Sequence, residues 1–204
     1  MICGLPLLAY LLGSIPWGLL LTRRFTPADI RRRGSGNIGA TNVARVAGPA
    51  WGLATLGGDF GKGWAPVALA FYMDLPEAVI EPYAVSVALL AVLGHLFPVY
   101  TRLRGGGKGV ATAAGGFFAL SPSAVLIAAG VFLLALALTR RVSVGSLAAV
   151  AVLPLAVFGV TGSAVYGGGA AVAAALIFRR HSDNIRRLRD GTEPRFRFGA
   201  SSDR

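Results

Sequence analysis

Residues 109–139 read GVATAAGGFFALSPSAVLIAAGVFLLALALT, 31 positions without a charged side chain, bounded by Lys108 before and Arg140-Arg141 after. As one helix at 1.5 Å per residue the run would be roughly 46 Å long, well beyond a hydrocarbon core of about 30 Å. Basic residues collect on the cytoplasmic side of a membrane. Both ends of the run therefore belong on that side, and the chain must cross an even number of times between them. Ser121-Pro122 supplies the break, because a residue before proline is pushed out of the helical region. The run is expected to fold as two helices, either two full spans or a re-entrant hairpin.

The same logic extends in both directions. Downstream, residues 142–178 form an uncharged run of 37 that must also fold back, near Thr161-Gly162-Ser163, to deliver Arg179-Arg180 to the cytoplasm. Upstream, residues 1–22 carry no charge and end at Arg23-Arg24. This places the N-terminus outside and reads as an uncleaved span, since a signal peptide needs charge before its apolar stretch and a cleavage site after it. Residues 23–45 hold six arginines (Arg23, Arg24, Arg31, Arg32, Arg33 and Arg45) against Asp29, a long cytoplasmic loop. The stretch 46–73 is apolar apart from Asp59 and Lys62, whose i, i+3 spacing makes them a structural pair on one helix face. Asp74, Glu77 and Glu81 mark an acidic outer loop at 74–82, residues 82–101 return inward, and Arg102, Arg104 and Lys108 mark the next inner loop. The expected fold is an all-α polytopic membrane protein of one domain, residues 1–204, with about seven transmembrane helices and a cytoplasmic C-terminus.

Composition agrees. Of 204 residues, 54% are hydrophobic and 14% charged, against about 25% charged in soluble domains. The net charge of +11 would suggest nucleic acid in a soluble protein. Here it follows the membrane charge rule, and no aromatic residues interleave with the basic ones as a base-stacking surface requires. Cys3, the single cysteine, can form no internal disulfide. No repeat of the transporter kind is present, and an anion transporter would place its cations along a mid-membrane path rather than at one face.

Polar residues gather in three segments that this topology brings to the cytoplasmic face. The first is Gly34-Ser35-Gly36-Asn37-Ile38-Gly39-Ala40-Thr41-Asn42-Val43-Ala44-Arg45. Its glycines match G-x-G-x-x-G, but it follows Arg31-Arg32-Arg33 instead of an apolar strand, which excludes a dinucleotide fold. Its exposed backbone N–H groups and neutral donors suit a phosphate, with Arg45 adding a planar fork. A polar turn with Thr41 or Asn42 capping the next helix explains the segment equally well. The second, Gly94-His95-Leu96-Phe97-Pro98 followed by Arg102-Leu103-Arg104-Gly105-Gly106-Gly107-Lys108-Gly109, is no Walker loop, because Gly109 stands where Ser or Thr should. Only Lys62 and Lys108 among twenty basic residues are lysine, so Lys108 reads as a chosen ammonium beside a helix N-terminus. His95 reads as structural. In the third, His181 and Asn184 share a helical face with Leu188, within a basic helix whose arginines suit anionic headgroups. Two histidines and scattered acids offer no metal-ligand spacing.

Together, Gly-Ser-Gly-Asn-Ile-Gly-Ala-Thr-Asn-Val-x-Arg at 34–45, Gly-His-x-Phe-Pro-Val at 94–99 with Gly-Gly-Lys-Gly-Val-Ala-Thr at 106–112, and His-x-x-Asn-Ile-x-Arg-Leu-x-x-Gly-x-Glu at 181–193 resemble the bacterial acyl-phosphate:glycerol-3-phosphate acyltransferases, the PlsY family. The resemblance implies a multi-pass enzyme of the bacterial cytoplasmic (inner) membrane, its site facing the cytoplasm, that uses no cofactor or metal. It implies transfer of a long acyl chain from acyl phosphate to the 1-hydroxyl of sn-glycerol 3-phosphate, yielding lysophosphatidate and inorganic phosphate. It assigns Ser35, Gly36, Asn37, Thr41, Asn42, Arg45, Ser143 and Ser146 to acyl phosphate. Arg45, Gly106, Gly107, Lys108, Gly109, His181 and Asn184 go to glycerol 3-phosphate, and Glu193 is structural. Ser35, Arg45, Lys108, His181 and Asn184 carry the catalytic work. Either His181 or a substrate phosphate takes the hydroxyl proton. The His-x-x-x-x-Asp motif of other glycerolipid acyltransferases is absent, since Tyr100 and Arg186 stand five residues after the two histidines.

Overall fold

A computed structural model describes residues 4–26 and 29–196; Cys3 and residues 197–204 lie outside them. The described residues contain ten α-helices and no strand. They are α1 (Gly4–Gly13), α2 (Trp17–Phe25), α3 (Ala40–Ala47), α4 (Pro49–Ala70), α5 (Glu77–Leu96), α6 (Val110–Leu120), α7 (Pro122–Thr139), α8 (Val142–Thr161), α9 (Ala164–Arg180) and α10 (Ser182–Arg189).

Both expected turns lie where the sequence puts them. Ser121-Pro122 separates α6 from α7, with Pro122 opening α7 where its missing N–H costs nothing. Gly162, at φ +67°, ends α8, and Ser163 Oγ accepts from the Tyr166 N–H to cap α9. Ser163 Oγ also donates to Glu81 Oε2 at 2.6 Å, tying this turn to the start of α5. At the other end, the Phe196 N–H donates to the Arg140 carbonyl at 2.5 Å. The C-terminal segment therefore meets the α7–α8 turn.

Three boundaries depart from the sequence reading. The first apolar run is not one helix: α1 and α2 meet at a bend of 42° around Ser14-Ile15-Pro16, because Pro16 cannot donate to the helical ladder. The 46–73 stretch is interrupted by Gly48 at φ +98°, so residues 40–47 form a helix of their own. The acidic segment is shorter than expected, since α5 starts at Glu77 and takes Glu77 and Glu81 into its first turns.

By length and composition, α5 with its following turn, α7 and α8 each suffice to cross a membrane, and the bent α1–α2 pair makes a fourth candidate. Helix α6, with 11 residues, is only about 17 Å long. Helix α4 carries a buried ion pair in place of an apolar stretch. Lys62 Nζ lies 2.9 Å from Asp59 Oδ1, both side chains are buried, and His95 Nδ1 stands 3.5 Å from the same oxygen. Lys62 Nζ also donates to the Ile15 carbonyl at 2.8 Å, serving a backbone acceptor in the α1–α2 break.

Glycine sets how closely these helices approach. A Cβ on Gly63 of α4 would collide with the Thr112 carbonyl, and one on Gly115 of α6 with the Phe60 carbonyl. Backbone therefore touches backbone across the α4–α6 crossing. The main apolar core, including Val92, Phe117, Val157 and Ile177, knits α5 to α9. Gly115→Ala is expected to destabilise the folded protein by about 1–3 kcal/mol through forced separation of α4 and α6. Gly130→Ala, on an open face of α7, should leave stability unchanged or slightly raised; thermal unfolding of the two purified variants in detergent makes the comparison.

Candidate active site

The three polar segments converge on one cavity of about 780 Å³. Ser35, Asn37, Thr41, Asn42 and Arg45 line it from the first segment, Lys108 and Gly109 from the second, and His181, Asn184 and Glu193 from the third; α8 adds Ser143 and Ser146. Beyond this polar end the wall turns apolar, with Ala113 and Ala114 of α6, Val125, Ala128 and Phe132 of α7, and Ala149, Val150 and Leu153 of α8. A smaller cavity of about 210 Å³ adjoins it, sharing Ser35, Asn37, Lys108, Asn184 and Arg187 and adding Gly36.

The first segment is a turn organised from within. Gly34 and Gly36 sit at φ +60° and +70°, conformations that other residues adopt only with strain. Asn42, buried at the start of α3, spends its amide on the loop backbone. Nδ2 donates to the carbonyls of Ile30, Arg33 and Asn37 at 2.9–3.1 Å, and Oδ1 accepts the Ser35 N–H at 2.8 Å. Asn42 thus organises the turn from within while also lining the cavity. Asn37 Oδ1 accepts the Gly39 N–H at 2.9 Å, which leaves its Nδ2 to the cavity. Thr41 and Arg45, four residues apart on α3, present one face to the cavity.

In the second segment Gly106 and Gly107 line neither side of the main cavity. A Cβ on Gly106 would strike the Leu96 carbonyl, one on Gly107 would strike His95 Nε2, and the Gly107 N–H donates to the His95 carbonyl at 3.1 Å. These two glycines let the loop lie flat against the end of α5, directly before Lys108. Lys108 and Gly109, which follow, do line the cavity, and Gly109 at φ +87° precedes α6, whose first residues Val110 and Ala111 line it too and carry the unpaired N–H groups of a helix start. Partial burial pulls the Lys108 ammonium down to about 8, against the opposing pull of Glu193.

His181 is the joint between α9 and α10 and is buried. Its Nδ1 lies 2.8 Å from the Ile177 carbonyl oxygen, which can only accept. The ring proton of the neutral form therefore sits on Nδ1 and the Nε2 lone pair is free. Burial holds its pKa to about 4, with the Ile177 bond pulling the other way and the Lys108 charge adding to the depression, so the ring is neutral at pH 7. Asn184 Nδ2 donates to Glu193 Oε1 at 2.6 Å, leaving Oδ1 buried and unpartnered. Arg187 Nε donates to Glu193 Oε2 at 2.7 Å. Burial pushes the Glu193 carboxyl up; Ser143, Asn184 and Arg187 outweigh this and hold it below its usual value. Ser143 Oγ, which serves Glu193, also lines the cavity wall, and Asn184 Oδ1 is an unspent polar atom there. The brace formed by Arg187 and the apolar wall were not singled out by the sequence reading. Arg187 sits among similar charges, and Ala and Val lining a groove look the same in sequence as Ala and Val packing a core.

A cationic, amide-lined mouth opening into an apolar trough between membrane helices suits a molecule that is phosphate at one end and hydrocarbon at the other. Fold and site thus define an integral-membrane protein whose cavity is polar and cationic at one end and apolar at the other. Residues 3–191 match the family model for glycerol-3-phosphate acyltransferase. The chain is 49% identical over 197 residues to the glycerol-3-phosphate acyltransferase of Myxococcus xanthus, covering 96% of this chain and 100% of the relative. It is 46% identical over 193 residues to that of Geobacter sulfurreducens, covering 95% and 96%. It superposes with a TM-score of 0.89 on a crystal structure of PlsY (YgiH), an integral membrane glycerol 3-phosphate acyltransferase in its glycerol 3-phosphate form, at 38% identity and 96% coverage of each chain. The lysophosphatidic acid form of PlsY superposes with a TM-score of 0.87 at 37% identity, covering 96% of this chain and 95% of that one. The chain belongs to the glycerol-3-phosphate acyltransferase family.

The Lys108 pKa carries a pH signature. The ammonium is present below pH 8 and lost above it, so binding of a phosphate monoester to the free protein should weaken above about pH 8. Lys108→Met should bind more weakly throughout and lose that limb. Calorimetric titration with glycerol 3-phosphate between pH 6.5 and 9.5 checks both.

Proposed function

We propose that this protein transfers a long-chain acyl group from acyl phosphate to the 1-hydroxyl of sn-glycerol 3-phosphate, forming 1-acylglycerol 3-phosphate (lysophosphatidate) and inorganic phosphate in phospholipid synthesis. The observation that carries the reading is one cavity running from Arg45, Lys108 and His181 to Leu153. A phosphate site and an acyl trough meet in it without a wall between them. Family membership supports the acceptor; the trough and the second set of polar groups at its mouth, Ser143 and Ser146, support a donor that carries both a tail and a phosphate.

In this scheme Ser35, Gly36, Asn37, Thr41, Arg45, Ser143 and Ser146 hold the acyl-phosphate group, and Asn42 shapes the turn that presents them. Arg45, Lys108, Gly109, His181 and Asn184 hold glycerol 3-phosphate. The 1-hydroxyl oxygen attacks the acyl carbonyl carbon, the bond from that carbon to the phosphate oxygen breaks, and phosphate leaves. An acyl phosphate is already a mixed anhydride, so positioning two bound substrates supplies most of what is needed and no acyl-enzyme is required. The His181 Nε2 lone pair accepts a hydrogen bond from the attacking hydroxyl and orients it. With a pKa of about 4, the imidazole is a poor final store for the proton, which passes to the departing phosphate as that group gains negative charge. Lys108 and Arg45 neutralise the same charge.

The proposal places the whole chain, as a single domain, in the bacterial cytoplasmic membrane. It has about seven crossings, the N-terminus outside and the site at the cytoplasmic face. The basic residues Arg23-Arg24, Arg45, Lys108, Arg140-Arg141 and Arg179-Arg180 flank the uncharged runs as the membrane charge rule requires of inner loops, and Arg45, Lys108, Arg179 and Arg180 border the two adjoining cavities, which supports it. From Ser143 to Leu153, ten residues of α8, the trough runs roughly 15 Å, half the hydrocarbon core and so the depth of one leaflet.

Purified protein given acyl phosphate and glycerol 3-phosphate should release lysophosphatidate and phosphate in equal amounts, and acyl-CoA should not replace the donor; turnover with acyl-CoA alone contradicts the reading. Ala149→Phe, which fills the trough, should raise KM for a long-chain acyl phosphate at least about tenfold and leave KM for glycerol 3-phosphate unchanged.

A further inference from the structure

Arg180 is the last residue of α9, directly before His181. In sequence it is one of a pair of arginines that mark the inner end of a helix. In the fold its guanidinium turns to the glycine loop: Nη2 donates to the Gly106 carbonyl at 2.8 Å and Nε to the Gly107 carbonyl at 3.3 Å. Its charge centre lies 5.9 Å from the middle of the Phe97 ring, and the Phe97 carbonyl accepts the Tyr10 hydroxyl at 2.8 Å. One side chain thus links the end of α9, the end of α5 and the loop.

The first part of the loop is held by its own turn bonds, from the Leu103 N–H to the Pro98 carbonyl and from the Arg104 N–H to the Thr101 carbonyl, whereas the glycine stretch from Gly105 leans on its neighbours. Arg102, Leu103, Gly105 and Gly109 all have positive φ, so the backbone changes direction repeatedly between α5 and α6. Its Gly107 amide is fixed by the His95 carbonyl. The Gly106 and Gly107 carbonyls are fixed by Arg180, whose rigid fork can serve two acceptors where an ammonium would act as a single point. Lys108 follows immediately.

We infer that Arg180 is a positioning residue that pins the carbonyls of Gly106 and Gly107 and so sets the Lys108 ammonium opposite His181 and Asn184. The inference rests on the phosphate role proposed for Lys108, and it competes with one specific alternative. Arg180 also borders the smaller cavity, where it would act by its charge, directly on a phosphate.

The two lysines allow a test that needs no turnover. Full-length protein in detergent is treated with an acetylating N-hydroxysuccinimide ester, and modification of Lys108 and Lys62 is followed by mass spectrometry. Lys62, buried against Asp59, reports on the fold. In Arg180→Gln and Arg180→Lys, Lys108 should be modified at least threefold faster than in the natural protein while Lys62 stays protected. Arg179→Gln, which removes the neighbouring charge without touching the loop, should leave the Lys108 rate unchanged. In kinetics, both Arg180 variants should raise KM for glycerol 3-phosphate about tenfold or more, with KM for the acyl donor little changed. An unchanged Lys108 rate, or full rescue of KM by Arg180→Lys, overturns the inference and assigns Arg180 to the phosphate by charge. Where the Gln variant also exposes Lys62, the Lys variant decides. Because the labelling rate is read without substrate, failure of the acyl-phosphate reading would show instead as an inactive natural protein with the same labelling pattern.

Discussion

The site depends on a loop lying in backbone contact with the end of a helix. Gly106 and Gly107 occupy space that any side chain would share with the Leu96 carbonyl and the His95 ring, and from that position Lys108 and the first residues of α6 line the cavity. The rest of the polar end is arranged around this contact. The His181 joint between α9 and α10 meets it from one side and the Asn42-organised turn from the other. The Glu193 brace keeps Asn184 and Arg187 in place behind them.

This arrangement answers a solvent problem. A phosphate needs cations and N–H groups near water, and an acyl chain needs hydrocarbon. The reaction we propose, between two phosphate-bearing molecules of which one has a tail, therefore belongs at the boundary. The helices supply the apolar part cheaply, because alanines and valines of α6, α7 and α8 that would otherwise pack a core line a trough. The loops at one end supply the polar part from segments far apart in the chain. The neutral imidazole of His181, with its proton directed to the Ile177 carbonyl, adds an acceptor where the neighbouring Lys108 and Arg45 provide positive charge.

Much of this was legible in the letters, for identifiable reasons. Charge placement around uncharged runs located the turns at Ser121-Pro122 and Thr161-Gly162-Ser163, because prolines, glycines and the membrane charge rule act locally. The pairing of Asp59 with Lys62 followed from helical spacing, and the convergence of three segments from topology alone. Other features depend on partners that only the fold brings together. The bend at Pro16 and the separate helix α3 after Gly39 are local departures that apolar composition masks. Asn42 reads as a phosphate donor in sequence, and its bonds to three loop carbonyls appear only in the fold. Gly106 and Gly107 read only as a phosphate cradle in sequence, and the α5 end behind them appears only in the fold. Arg180 is indistinguishable in sequence from the topology-setting arginine beside it.

The central claim is that three distant segments build one centre on a single side of the membrane, and sidedness measures it most directly. With Cys3 replaced by serine, single cysteines at Ser35, Arg104 and Ser182, one exposed position in each segment, are labelled in sealed vesicles by a membrane-impermeant maleimide. All three should label from the cytoplasmic side alone and be blocked together by reagent applied there. A position that labels only from the opposite side would separate the segments and contradict a shared centre.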